Sequence, residues 1–234
     1  VTAPIIVALD VRTAEEALRL ATRLKPHVAG FQIGLGVLHG PGPGVVGALA
    51  RVGPVLADAK LHDIPSQVRA AARRLGEYGA RWITVHASGG QRMLEAAREG
   101  LAEGAAGRDT GVLAITVLTS LDAIDLTAVG LGDRPGRLVS KMARVADAAG
   151  IEGVVCSPQE IRVVAEVAPR LLTVIPGIRP DGEAAADQRR VATPEEAIVR
   201  GADLLVIGRP IVDAPDPEAA AEAIGVTIRA VAAE

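Results

Sequence analysis

Val55-Leu56-Ala57-Asp58-Ala59-Lys60-Leu61-His62-Asp63-Ile64-Pro65 is an apolar run that ends in charge and turns at once into a helical pattern. On a strand, alternate side chains share a face, so Asp58 and Lys60 point one way while Ala57, Ala59 and Leu61 point the other. A carboxylate and an ammonium then sit together at a strand's C-terminal end. Val68, Ala71, Ala72 and Leu75 follow with helical spacing, and Asp63 and Pro65 read as an N-cap and a first-turn proline. Charges in an otherwise apolar strand are costly unless paired, which leaves two readings of Asp58 and Lys60: a buried structural salt bridge, or a reactive site.

The same strand-then-helix unit recurs outward from this stretch. Pro4 to Leu9 is a short apolar run ending in Asp10, and Thr13 and Glu16 have capping-box spacing ahead of a helix reaching about Leu24. Gly30 to Gly34, Arg81 to His86, Gly111 to Leu118, Gly153 to Cys156, Leu171 to Ile175 and Leu204 to Ile207 read as further strands. Eight strands at intervals of about 20–30 residues, each followed by a helical pattern, predict an α/β fold: a (β/α)8 TIM barrel, one domain over residues 1–234. An open doubly wound sheet is the competing architecture, but no Gly-x-Gly-x-x-Gly turn follows the first strand. Two long connections, Ser120 to Arg137 and Gly177 to Pro194, fall on the face where barrels carry their sites. They are candidates for a lid or a phosphate clamp.

Composition agrees with that architecture. The 234 residues are 49% hydrophobic but 1% aromatic, so the core is built from Ala, Val, Leu and Ile, as in parallel strands covered by Ala-rich helices. A net charge of −3 supplies no broad attraction to nucleic acid or anionic membrane. One cysteine, Cys156, rules out an internal disulfide and a cysteine zinc cluster, and it reads as a core residue. With no signal peptide and no apolar run of transmembrane length, a cytoplasmic location is expected. His27, His39, His62 and His86 lack metal-ligand spacing, and Trp82 reads as packing.

The loops after strands seven and eight carry the remaining chemistry. Pro176-Gly177-Ile178-Arg179-Pro180, Asp187-Gln188-Arg189-Arg190-Val191 and Gly208-Arg209-Pro210-Ile211 offer backbone N–H groups, an amide and guanidinium groups suited to phosphate. Arg209, at a strand end after a glycine, reads as a phosphate ligand; Arg189 and Arg190 read as solvated loop residues.

Together these stretches resemble the orotidine 5'-phosphate decarboxylase family. The motifs are Asp58-x-Lys60-x-x-Asp63-Ile64-Pro65, Val85-His86-Ala87-Ser88-Gly89-Gly90, Thr116-Val117-Leu118-Thr119-Ser120 and the three loop segments above, and the likeness runs from Val7 to Pro217. The resemblance implies decarboxylation of orotidine 5'-phosphate to uridine 5'-phosphate in pyrimidine synthesis, with no cofactor and no metal, in a homodimer with sites at the subunit interface. It assigns Lys60 as cation and proton donor, Asp58 to the leaving carboxylate, and Asp63 to the partner subunit's site. It further implies that Asp10 meets the ribose, Thr119 the base, and Arg179, Gln188, Gly208 and Arg209 the phosphate; Gln32 reads as a neutral substitute that still bonds the ribose and Asp58.

Two positions depart from the family pattern. Gln32 stands where a lysine is usual, in Phe31-Gln32-Ile33-Gly34, and Gln67 where a threonine is usual. Without that lysine, Asp58, Lys60 and Asp63 leave one negative charge over, which makes a carboxylate in the cluster harder to ionise or recruits a cation. Two other functions therefore stay open. One is a Mg2+-dependent sugar-phosphate decarboxylase or aldolase of the same superfamily, similar to enzymes with glutamate where Gln32 stands. The other is a phosphate-ligand binding protein that has lost catalysis.

Overall fold

The structure, a computed structural model, describes residues 2–132, 134–180 and 191–232. The elements in chain order are β1 (Ala3–Ala8), α1 (Ala14–Leu24), β2 (Val28–Ile33), α2 (Leu35–His39), α3 (Gly44–Ala50), β3 (Val55–Leu61), α4 (Pro65–Tyr78), β4 (Trp82–His86) and α5 (Gln91–Ala105). The second half continues with β5 (Gly111–Ile115), α6 (Ala123–Ala128), α7 (Pro135–Ala148), β6 (Gly153–Val155), α8 (Ile161–Val167), β7 (Leu172–Ile175), α9 (Pro194–Val199), β8 (Leu204–Ile207), α10 (Arg209–Val212) and α11 (Pro217–Val231). Each strand pairs in parallel with its sequence neighbours, and β1 closes the barrel against β8, so the predicted (β/α)8 architecture is the one observed.

Period-two alternation divides the strands between two cores. Ile5, Val7, Val55, Ala57, Ile83 and Val85 point outward into the layer between sheet and helices, which contains most of the buried apolar residues. Ile6, Leu56, Trp82, Leu113 and Val174 point inward and fill the barrel below its midpoint. Trp82 seals that floor: its indole N–H donates to Glu152 Oε1 at 3.2 Å, and the Arg81 guanidinium, which donates to both Glu152 carboxylate oxygens at 2.9 Å, stacks 4.6 Å from the ring. The outer layer is tight where α4 meets α5. A Cβ on Gly104 would lie 1.9 Å from the Arg73 carbonyl oxygen, so only glycine permits that approach.

Three local readings are refined by the structure. Asp63 is not the N-cap of α4; Ile64 occupies that position, and the Asp63 carboxylate accepts from the Ile64 N–H at 2.6 Å, one residue early. The chain between Ser120 and Arg137 is not all loop. Asp122 caps α6 by accepting from the Ile124 and Asp125 N–H groups at 2.9 and 3.0 Å, and Asp125 accepts in return from the Asp122 N–H at 3.1 Å. Finally, β5 stops at Ile115, after which Thr116 turns its hydroxyl onto the Val155 carbonyl at 2.7 Å. Among the described residues, no helix is long and apolar enough to cross a membrane.

Candidate active site

Above the apolar floor the barrel opens, at the C-terminal ends of its strands, into a cavity of about 510 Å³. Asp10, Gln32, Asp58, Lys60 and Thr84 line one side, from the ends of β1 to β4; Gly177, Arg179, Gly208 and Arg209 line the other, from the loops after β7 and β8; and Thr119 borders it from the loop after β5. Alternation along β3 sets the first group: Leu56 is in the floor, and Asp58 and Lys60 stand above it on the same face.

The backbone at this point is irregular. Ala57 pairs with Ile83 and Leu61 with Val85, so four steps of β3 span two of β4, and the surplus is taken up around Lys60. Lys60 has φ 46°, in the left-handed region, which costs a non-glycine residue roughly 1–2 kcal/mol. The detour carries the Lys60 amine over the Asp58 carboxylate.

That carboxylate is 6% exposed and fully engaged. Asp58 Oδ2 accepts from Lys60 Nζ at 2.5 Å and from Gln32 Nε2 at 2.6 Å, while Asp58 Oδ1 accepts from the Thr84 hydroxyl at 2.7 Å. Two neutral donors and one cation compensate the burial of its charge. Thr84 is itself buried and takes a second bond, accepting from the Lys60 backbone N–H at 2.8 Å.

Two further groups feel the cluster. Asp10 keeps solvent access at the cavity wall, yet the walls strip enough water to raise its carboxyl above the usual value, with the negative charge of Asp58 adding to the effect and Lys60 and Arg209 opposing it. His86, half-buried at the end of β4, is pushed below the usual histidine value by burial, then by His62 and Lys60, against the pull of Asp58. Its ring centroid lies 5.5 Å from that of exposed His62.

On the opposite wall, Gly177 has φ 75°, a backbone conformation that admits glycine at no steric cost. The next residues are fixed by a bridge between Ile178 and Ala192, and by Arg179, whose N–H donates to the Ala192 carbonyl at 3.0 Å. The Arg179 guanidinium donates to the Ile178 carbonyl at 2.7 Å, which folds it back along its own loop, and Arg209 is exposed.

Eight of the ten residues singled out in the sequence thus border one cavity: Asp10, Gln32, Asp58, Lys60, Thr119, Arg179, Gly208 and Arg209. Asp63 does not line it and lies exposed beyond the end of β3, and Gln188, with Asp187, Arg189 and Arg190, falls outside the described residues. Sequence reasoning missed Thr84, because a threonine in a strand is an ordinary β-former; the signal available was its place in the inward series Trp82, Thr84, His86. Among the described residues, no group of three or more His, Cys, Asp or Glu side chains is arranged to hold a metal ion.

Comparison with known proteins fits this geometry. Residues 3–224 match the Orotidine 5'-phosphate decarboxylase / HUMPS family. The chain is 50% identical over 222 residues to orotidine 5'-phosphate decarboxylase of Anaeromyxobacter sp. (strain K), covering 94% of this chain and 96% of that one. It is 47% identical over 230 residues to the Thermobifida fusca orotidine 5'-phosphate decarboxylase, covering 97% and 96%. The crystal structure of orotidine 5'-phosphate decarboxylase from Lactobacillus acidophilus superposes with a TM-score of 0.84 at 34% identity, over 97% of this chain and 99% of that one.

Proposed function

The chain belongs to the orotidine 5'-phosphate decarboxylase / HUMPS family, and on that premise we propose how its cavity works. It decarboxylates orotidine 5'-phosphate to uridine 5'-phosphate, a step of pyrimidine synthesis. The observation that carries the mechanism is the Lys60 ammonium, set 2.5 Å from Asp58 on the inner face of the barrel mouth, across the cavity from Arg179 and Arg209.

When the bond from C6 to the carboxylate breaks, its electron pair remains on C6 in the plane of the ring, where the ring π system cannot delocalise it. A fixed cation beside C6 is then the main available stabiliser. Lys60 supplies it, donates the proton that completes uridine 5'-phosphate, and is reprotonated from solvent. Asp58 orients the ammonium and faces the leaving carboxylate. Its bonds to Gln32 and Thr84 support this role, because they hold the carboxylate in one orientation before substrate arrives.

Remote parts of the nucleotide meet the rest of the cavity: Asp10 and Gln32 take ribose hydroxyls, Thr119 the base, and Arg179, Gly208 and Arg209 the phosphate, a role that for Gln188 rests on the family resemblance alone. Phosphate binding far from C6 supplies free energy for closing the site around the reacting carbon. The barrel serves as a homodimer in the cytoplasm, with Asp63 reaching into the partner's site. Exposure of Asp63, and of Leu35 in α2, Ile124 in α6, and Ile64 and Leu118 in the loops after β3 and β5, all following the C-terminal ends of strands, supports that arrangement. Gln32 spends its amide N–H on Asp58, the opposite polarity from a metal ligand, which runs against the Mg2+-dependent reading.

The test follows the loss of pyrimidine absorbance on adding orotidine 5'-phosphate to the purified protein, with and without EDTA. Turnover at the same rate in both is expected. Absence of turnover, or its abolition by EDTA, would overturn the reading.

A further inference from the structure

The inner face of β4 carries one buried hydroxyl, Thr84, and it touches both halves of the Asp58/Lys60 pair by different atoms of the chain. Its oxygen accepts from the Lys60 backbone N–H at 2.8 Å, and its single proton goes to Asp58 Oδ1 at 2.7 Å. The two bonds use the hydroxyl in complementary senses, one accepted and one donated, so neither competes with the other.

The backbone explains why such a tie is needed. Between the Ala57/Ile83 and Leu61/Val85 pairs the β3 ladder is interrupted, and the Lys60 N–H turns to a side chain for its partner. A buried N–H without a partner is costly. Lys60 also holds φ 46°, a conformation that persists only where its surroundings over-determine it. Thr84, 1% exposed and packed in the barrel, is the group that does so from β4.

The geometry points to Thr84 as a positioning residue for the reaction: its hydroxyl locks the left-handed turn that aims the Lys60 amine and, through the same atom, the rotamer of the Asp58 carboxylate that meets it. This rests on the proposed roles of Lys60 and Asp58. Its consequence is a defect in the chemical step, with ground-state binding spared, because Thr84 acts through the other two residues.

The experiment compares Thr84→Val, Thr84→Ser and Lys60→Ala for kcat and KM with orotidine 5'-phosphate, and for uridine 5'-phosphate affinity by calorimetry. Valine keeps the shape and removes the hydroxyl; serine keeps the hydroxyl and removes the methyl. Losing one bond to a charged group and orphaning one N–H should lower kcat in Thr84→Val by roughly 10- to 100-fold, with KM and product affinity within about threefold of wild type. Thr84→Ser should recover to within about threefold of wild-type kcat. If Thr84→Val fails to fold, Thr84→Ala against Thr84→Ser makes the same comparison, since both shorten the side chain and only serine keeps the hydroxyl. Equal kcat in the hydroxyl and non-hydroxyl variants, with Lys60→Ala inactive, overturns the role of Thr84 alone. Substantial activity in Lys60→Ala overturns the mechanism beneath it as well.

Discussion

Replacing Gln32 with glutamate changes one atom type at the point where the charge balance of the cavity is set. The amide Nε2 donates to Asp58 Oδ2 at 2.6 Å, and the substitution puts an anion where that donor was. If the new side chain relaxes to about 4 Å from Asp58, two unit charges at an effective dielectric of about 20 repel by about 4 kcal/mol. Solvent screens little of this, because the Asp58 side chain is 9% exposed. Lys60 offsets part of it, and a residual of about 2–3 kcal/mol lowers kcat/KM by roughly 30- to 150-fold. The loss should shrink as pH falls, since a protonated glutamate donates to Asp58 again as the amide does. The assay is orotidine 5'-phosphate turnover by Gln32→Glu across pH, with Mg2+ or EDTA. An undiminished rate, or activation by Mg2+ above the wild-type rate, would refute the reasoning and favour a metal-dependent reaction.

Other outcomes follow from the same geometry. Arg209→Ala should raise KM for orotidine 5'-phosphate by the loss of a charged hydrogen bond of about 1.5–3 kcal/mol, roughly 10- to 150-fold, and uridine should bind more weakly than uridine 5'-phosphate by calorimetry. Mixing Lys60→Ala and Asp63→Ala subunits should restore up to one intact site per mixed dimer; heterodimers confirmed by mass spectrometry but without activity would return Asp63 to its own subunit. The Asp10 carboxyl is raised above its ordinary 3.8 by burial and by Asp58, so the folded chain holds that proton more tightly than the unfolded one. Its contribution to stability is complete below the unfolded value and is lost as pH rises through the folded value. Asp10→Asn should therefore raise the Tm of the ligand-free protein at neutral pH, give no gain below the ordinary carboxylate range, and weaken substrate binding.

The barrel was legible because each βα unit carries its own signal. The Asp58/Lys60 alternation was also correct: both side chains face the cavity while Ala57, Ala59 and Leu61 pack outward. What the sequence concealed was backbone irregularity. Nothing in Ala59-Lys60-Leu61 marks a left-handed residue, since glycine is the usual signal and Lys60 carries none, and the interruption of the ladder depends on β4, which begins only at Trp82. Thr84 was hidden for the same reason: its role exists only once β3 and β4 are side by side. Asp63 shows the reverse error. An aspartate before Ile-Pro satisfies the N-cap rule, but its carboxylate bonds to the next N–H and leaves Ile64 at the cap.

The most direct test of the account is Lys60→Ala, measured for orotidine 5'-phosphate turnover beside uridine 5'-phosphate affinity. A cation about 4 Å from the developing charge contributes about 4 kcal/mol at an effective dielectric of about 20, or roughly 10³-fold. Positioned proton donation adds roughly 10²- to 10⁴-fold. The account predicts a fall in kcat of at least about 10⁵-fold, with uridine 5'-phosphate affinity changed less than about tenfold. A Lys60→Ala variant that keeps kcat within tenfold of wild type would contradict it.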